Sequence, residues 1–485
     1  MRPASRVILG RTSHRGNWKL STELWRLGAS ELAAAIRNKD VKSRDVVEAH
    51  LARIAAVNPR LNAITVTLAD SALAGADVAD AATASGATTG PLHGVPMTVK
   101  ENIDLAGSAT TQGIVAMAEA VPPLDAPHIW QLRAAGAIPV GRTNLPDFGM
   151  RWHTDNALRG ATKNPWNANV TPGGSSGGDA AALASGMTPL GMGNDYGGSL
   201  RWPSQCCGTA ALRPTFGRVA SASSLPGPEM PLTIQLFAVQ GPMARHVRDV
   251  RLALEAMTAP DPRDPWYMPV PMRGPDVPKR VAMTIDPGGR GVDPAVAEGV
   301  HKAAAALRDA GYTVEEVEPP MVNEALALWA SLVHTELKMT LVPVLEQIAS
   351  ADALRFLECS FEVVRLLDYP GYIEGFGGRN GIARAWSEFQ ARYPLVLGPV
   401  ATIQPFEPGY DTRDAASVGK VLEGVRFVVL CNLLGLPAAV VPVGTSGGLP
   451  QAVQLIGARY REDLCLDAAE AIEDRLGVLT PIDPM

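Results

Sequence analysis

Ser175 lies in Pro172–Gly178, a run of four glycines and two serines placed directly before an alanine-rich stretch. Glycine lets successive backbone N–H groups turn inward, and a following helix N-terminus favours negative charge developing at those hydroxyls. A second run, Gly193–Pro203, sets Gly197 and Gly198 immediately before Ser199. Amides in such a turn can converge on the oxygen that forms when the serine attacks a carbonyl, so Ser199 reads as a nucleophile beside its own oxyanion site. Lys100 lies within a third run, Gly94–Asn102, at the carboxyl end of the apolar segment Val95–Val99, where open α/β sheets gather their ligands. Each run also has a plain reading: a flexible Gly/Ser connector, a strand-end turn with a surface serine, and a solvated strand-end lysine.

Other chemistry fits less well. The glycine-serine hexad satisfies G-x-S-x-G twice, but a nucleophile elbow needs a strand running into the turn, and Asn164–Asn169 before it reads as loop. An elbow also needs a histidine late in the chain, whereas His334 is the last of eight. His93 and His153 read as structural, and Cys206-Cys207, amid apolar neighbours, as core rather than thiol nucleophile. No CxxC or Cys/His cluster links the five cysteines, so neither metal nor cofactor is expected.

In this order the three runs resemble the amidase signature family, whose pattern is a lysine after Gly-x-Pro, then Gly-Gly-Ser-Ser-Gly-Gly, then Gly-x-Asp-x-Gly-Gly-Ser-x-Arg. Further matches are Thr209–Gly217, Gly241–Arg245, Asn432–Pro442 and Val453–Gly457, the last two resembling the family's closing strands. The resemblance implies that Ser199 attacks, Ser175 relays the proton, and a neutral Lys100 receives it. A lysine is ordinarily protonated to a pKa of about 10.4, so Lys100 is expected to be buried. It further implies a cis Gly174–Ser175 bond and an oxyanion hole from the amides of Tyr196, Gly197, Gly198 and Ser199. Asp195 and Arg201 are expected to brace that loop, and Ser176 to support the relay as a hydrogen-bond partner. The chain departs from the family pattern at Tyr196 (often Thr or Ile), Arg213 (usually Lys) and Asp147 (commonly Glu).

The elements that must hold these residues alternate. Helical spacing follows Ser43 until Asn58-Pro59; Val95–Lys100 reads as a strand, Ile129–Ala135 as a helix and Ala137–Val140 as a strand. Asp179–Ser185 and Val247–Met257 read as helices, and Met187–Met192 as a strand. Such alternation predicts an α/β fold, a large mixed sheet with helices on both faces. Seven prolines between Pro260 and Pro278 mark a long connection and the best candidate boundary. Beyond it, strands Arg280–Ile285 and Tyr312–Val317 flank a helix over Ala295–Ala310. Residues 323–393 read as a mainly helical pocket wall with a Gly-rich break at Gly375–Gly378. Phe427–Leu434, Ala438–Val443 and Val453–Gly457 read as apolar runs returning to the sheet, before a last helix near Leu464–Leu476. One domain over 21–485 follows, with a signature core over about 90–250 and a loose basic arm over 1–20.

A net charge of −6 over 485 residues gives no basic field for nucleic acid or an anionic membrane, and no stretch suits a spanning helix or a signal peptide. A cytoplasmic enzyme acting on a small-molecule amide is expected, with a homodimer as the one assembly allowed for. Trp152, Trp329, Phe356, Tyr372 and Phe406 suggest an apolar pocket wall suited to an aryl or N-aryl amide. Two alternatives stand beside a free amidase: the glutaminase component of a tRNA-dependent amidotransferase, which would need partner subunits, and a non-catalytic scaffold.

Overall fold

The computed structural model describes residues 23–485; the basic arm expected over residues 1–20 lies outside the described residues. Strands β1 (Ile64–Thr67), β2 (Pro96–Lys100), β3 (Ile138–Thr143), β4 (Leu190–Asp195), β5 (Ala210–Arg213), β6 (Val239–Ala244), β7 (Arg280–Met283), β8 (Thr313–Glu316), β9 (Leu395–Pro399), β10 (Ala438–Ser446) and β11 (Leu449–Gly457) form one sheet. Their order is β1-β3-β2-β4-β6-β5-β10-β11-β9-β7-β8. β2 pairs in parallel with both β3 and β4, so the carboxyl ends of three neighbouring strands open on one edge, while β4–β6 and β10–β11 are antiparallel. The sheet is therefore mixed, as the alternating pattern predicts.

Side chains alternate across a strand, and this sorts β2. Met97 and Val99 enter one core with the helices Val247–Ala256, Pro294–Asp309 and Glu462–Leu476. Thr98 and Lys100 take the other face, where the Thr98 hydroxyl donates to Asp179 in the first turn of the helix Gly177–Ala184. That face also carries the helices Arg201–Cys207, Val322–Thr340 and Arg426–Leu434. Period-two alternation thus aims Lys100 at the glycine-serine run that precedes Gly177–Ala184.

Several expectations are corrected. Phe427–Leu434 is not a returning run of the sheet: Arg426–Leu434 is a helix with every residue buried, and an apolar run hidden on all sides has no period to distinguish helix from strand. The closing-strand resemblance over Asn432–Pro442 accordingly holds only from Ala438 onward. Gly375–Gly378 does not break the wall but lies inside the helix Tyr369–Gln390. A Cβ on Gly375 would stand 2.9 Å from Leu332 Cδ2, so close approach of two helices explains a glycine there. Pro59 sits in the last turn of Ser43–Leu61 rather than ending it, and the strand expected at Met187 begins at Leu190 and runs to Asp195. The proline-rich stretch carries no helix or strand, yet it joins parts of one sheet, since β9 pairs with both β7 and β11.

Candidate active site

Lys100 is fully buried at the end of β2; its Nζ is 2.6 Å from Ser175 Oγ and donates to Asn194 Oδ1 at 2.9 Å. Burial pushes its ammonium down to about 7, against the opposing pull of the Asp179 and Asp195 carboxylates. Asp179 is itself buried, and that desolvation raises its carboxyl well above the usual range. Ser175 follows a cis Gly174–Ser175 peptide and is 2% exposed. Gly149, at φ +69, lets the neighbouring chain pass close by, for a Cβ there would sit 3.1 Å from Ser175 Oγ.

Ser199 follows the carboxyl end of β4 and is 7% exposed. Backbone joins the two serine loops: Ser176 N–H donates to the Ser199 carbonyl at 3.2 Å. The Ser176 hydroxyl, expected to hydrogen-bond within the relay, is buried with no partner among the described residues. The Ser199 turn is held by Asp195, which accepts from Gly198 N–H at 2.9 Å and Leu200 N–H at 3.2 Å, and bidentately from Arg201, both bonds at 3.0 Å. Burial alone would raise the Asp195 carboxyl; the Arg201 guanidinium overrides it and holds the group far below the usual carboxylate range. Of the amides expected to form an oxyanion hole, the Gly198 N–H therefore points at Asp195, while those of Tyr196, Gly197 and Ser199 have no bond to that carboxylate.

Arg201 also reaches Asn432 Oδ1 at 2.8 Å and Gln454 Oε1 at 3.0 Å, and Asn432 Nδ2 donates to Asp195 Oδ1 at 2.8 Å. Sequence reading assigned no role to Asn194, Asn432 or Gln454. Asn194 lies inside the Gly193–Arg201 motif, and Asn432 and Gln454 inside the matching runs Asn432–Pro442 and Val453–Gly457, but nothing in those runs points to Arg201 as their partner.

Of the five aromatic residues expected to wall a pocket, three gather at the turn. The Trp152 indole donates to the Gly197 carbonyl at 2.9 Å, and its ring lies 6.4 Å from Trp329 and 5.9 Å from Phe356. Tyr196 joins them, 6.1 Å from Trp329. Tyr372 stands one layer back, its hydroxyl donating to Glu336 Oε1 at 2.8 Å. Phe406 is elsewhere: it stacks on Trp202 at 6.0 Å and lines a separate cavity of about 430 Å³ with Arg290, Lys420 and Glu423. Its sequence position gave no way to place it, because it lies in a loop outside any helix or strand.

The rejected alternatives have structural partners. His153 bonds Thr171 Oγ1 at 2.9 Å and is pushed by burial to about 4, and His93 bonds Thr83 Oγ1 at 2.9 Å. Cys206 and Cys207 are buried, which raises both thiols. Among the described residues no group of three His, Cys, Asp or Glu could hold a metal ion, and no helix is long and apolar enough to cross a membrane. The arrangement is a desolvated amine against one serine, with a second serine on a turn of backbone donors, a set able to move a proton from a hydroxyl as it attacks a carbonyl.

The Amidase family model matches residues 45–466. An indoleacetamide hydrolase of Bradyrhizobium diazoefficiens is 44% identical over 94% of this chain and 88% of that protein. A glutamyl-tRNA(Gln) amidotransferase subunit of Moorella thermoacetica is 32% identical over 93% of this chain and 97% of that protein. Among solved structures, a bacterial aryl acylamidase of the amidase signature family superposes with a TM-score of 0.80 at 25% identity, covering 92% of this chain and 96% of that one.

Proposed function

The chain belongs to the amidase family, as a hydrolase of amide carbon–nitrogen bonds, and we propose that its substrate is a small arylacetamide such as indole-3-acetamide, cleaved through a Ser199 acyl-enzyme. The observation that carries the mechanism is the buried 2.6 Å contact between Lys100 Nζ and Ser175 Oγ. Ser199 Oγ attacks the carbonyl carbon as its proton passes to Ser175 Oγ and the Ser175 proton passes to Lys100 Nζ. The oxyanion is met by the amides of Tyr196, Gly197 and Ser199; one such donor is worth about 3 kcal/mol at the transition state. Collapse breaks the C–N bond while Lys100 returns a proton through Ser175 to the leaving nitrogen. Water then attacks the acyl ester over the same relay, releasing the carboxylic acid.

The substrate class is supported by the aromatic wall of Trp152, Trp329, Phe356 and Tyr196 at the Ser199 turn and by the likeness to an indoleacetamide hydrolase. The glutaminase alternative fits less well. Glutamine would bring an α-ammonium and a carboxylate against indole and phenyl rings, where unpaired charge is costly. Five free, buried cysteines accord with a reducing compartment such as the cytoplasm.

The test is ammonia release from indole-3-acetamide, phenylacetamide, aliphatic amides and glutamine, with intact-mass detection of an acyl adduct on Ser199. Turnover of aryl amides with an adduct that maps to Ser199 is the expected result. Hydrolysis of glutamine alone, dependent on added partner subunits, overturns the reading.

A further inference from the structure

We propose that Glu336 is a positioning residue that sets this site's preference for aromatic amides, a reading that rests on the function proposed above. Glu336 and Trp329 lie seven residues apart on the helix Val322–Thr340, hence on one face of it. The Glu336 carboxylate, 8% exposed, accepts from the Thr233 N–H at 2.7 Å, from the Thr233 hydroxyl, and from the Tyr372 hydroxyl at 2.8 Å. With its proton given to Glu336, the Thr233 hydroxyl is left as acceptor for the Tyr196 hydroxyl at 2.7 Å. The chain Tyr196–Thr233–Glu336–Tyr372 therefore runs from the Ser199 turn to the helix Tyr369–Gln390.

Its effect is to hold one ring. Tyr196 directly follows Asp195, so its backbone belongs to the turn that carries Ser199, while its ring leans on Trp329. Trp329 in turn presses on Gly197, where a Cβ would stand 2.9 Å from Trp329 Cζ2. Without the hydrogen bond to Thr233 the Tyr196 ring is free to change rotamer, and the aromatic wall beside the nucleophile opens. Burying a carboxylate costs stability that its hydrogen bonds at best offset, and an apolar residue of similar size usually serves as well. Shaping the pocket gives this buried charge a use.

The experiment measures KM and kcat for indole-3-acetamide, and Kd for the product indole-3-acetate by tryptophan fluorescence, in the unaltered chain, Thr233→Val, Glu336→Gln and the double variant. Each single variant is expected to raise KM and Kd roughly tenfold, the scale of one hydrogen bond to a charged group, with the loss falling on KM rather than kcat. Because both act through one chain, the double variant should lose no more than the worse single one. Thr233→Val keeps the backbone bond to Glu336 and decides the matter if Glu336→Gln does not fold. Unmoved KM and Kd, a loss confined to kcat, or additive losses each overturn the proposal. If the unaltered chain neither hydrolyses an aryl amide nor binds indole-3-acetate, the proposed function itself fails and takes this inference with it.

Discussion

Lys100 Nζ stands 2.6 Å from Ser175 Oγ where solvent does not reach, and its second partner is the neutral Asn194 amide rather than a carboxylate. A buried lysine so placed loses the hydration that keeps it charged without gaining a contacting anion in return. The amine is thus available to accept the serine's proton.

Removing either end of that contact should cost chemistry more than binding. Lys100→Ala and Ser175→Ala are each expected to lower kcat/KM for indole-3-acetamide by about 10²–10⁴-fold, the range of general base catalysis. Ser199→Ala should abolish the acyl-enzyme burst altogether, and His93→Gln should keep it. Rapid-quench kinetics with intact mass separates these outcomes; a lost burst in His93→Gln would return histidine to consideration.

The pH profile follows from the same burial. In the proposed mechanism neutral Lys100 is the working form; its ammonium is pushed down to about 7, so kcat/KM should fall as pH drops through that value, tenfold per unit, and level off above it. The Asp179 carboxylate opposes the neutral form. Asp179→Asn should therefore move the acid limb to lower pH. An acid limb near pH 10, the ordinary lysine range, contradicts the assignment of Lys100 as base.

Asp195→Asn should destabilise the whole molecule. It leaves the fully buried Arg201 without its bidentate partner, an uncompensated charge worth about 3–5 kcal/mol, and it weakens the hold on the Gly198 and Leu200 amides. Thermal unfolding should show a lower Tm, and activity should fall further than the folded fraction does. An unchanged Tm would mean that the Arg201 charge finds another partner.

Gly198→Ala tests the turn itself. Gly198 has φ +94, and a Cβ there would overlap Val428 Cγ1 on the helix Arg426–Leu434. The substitution is expected to remove acyl-enzyme formation. Adding Val428→Ala should recover part of the stability but little of the activity, because the backbone strain remains. Full activity in Gly198→Ala would show that the turn needs no left-handed residue.

Local pattern carried much of this. The β2 and β4 segments, the helix after the glycine-serine run and the last helix are periodic or bounded by glycine and proline, so a short window contains the cause of each. Boundaries drifted where the cause lay outside the window. The strand read from Met187 starts at Leu190 because its register is set by pairing with β6, and β6, holding a glycine and a proline, carries no strand signal of its own. The helix Arg426–Leu434 was unreadable as such because it is buried on every side.

The sequence by itself determined the order Lys100, Ser175, Ser199 and the glycines around them, since reactive groups and flexible turns are properties of residue type and spacing. Tertiary structure alone decided which of those groups touch. Only the fold brings Asn432 and Gln454 onto Arg201, turns the Gly198 N–H to Asp195, places Trp329 on Gly197 and Phe406 on Trp202, and buries Glu336 among three donors. Contacts between residues hundreds of positions apart depend on sheet order and helix packing, which no local run of the chain encodes.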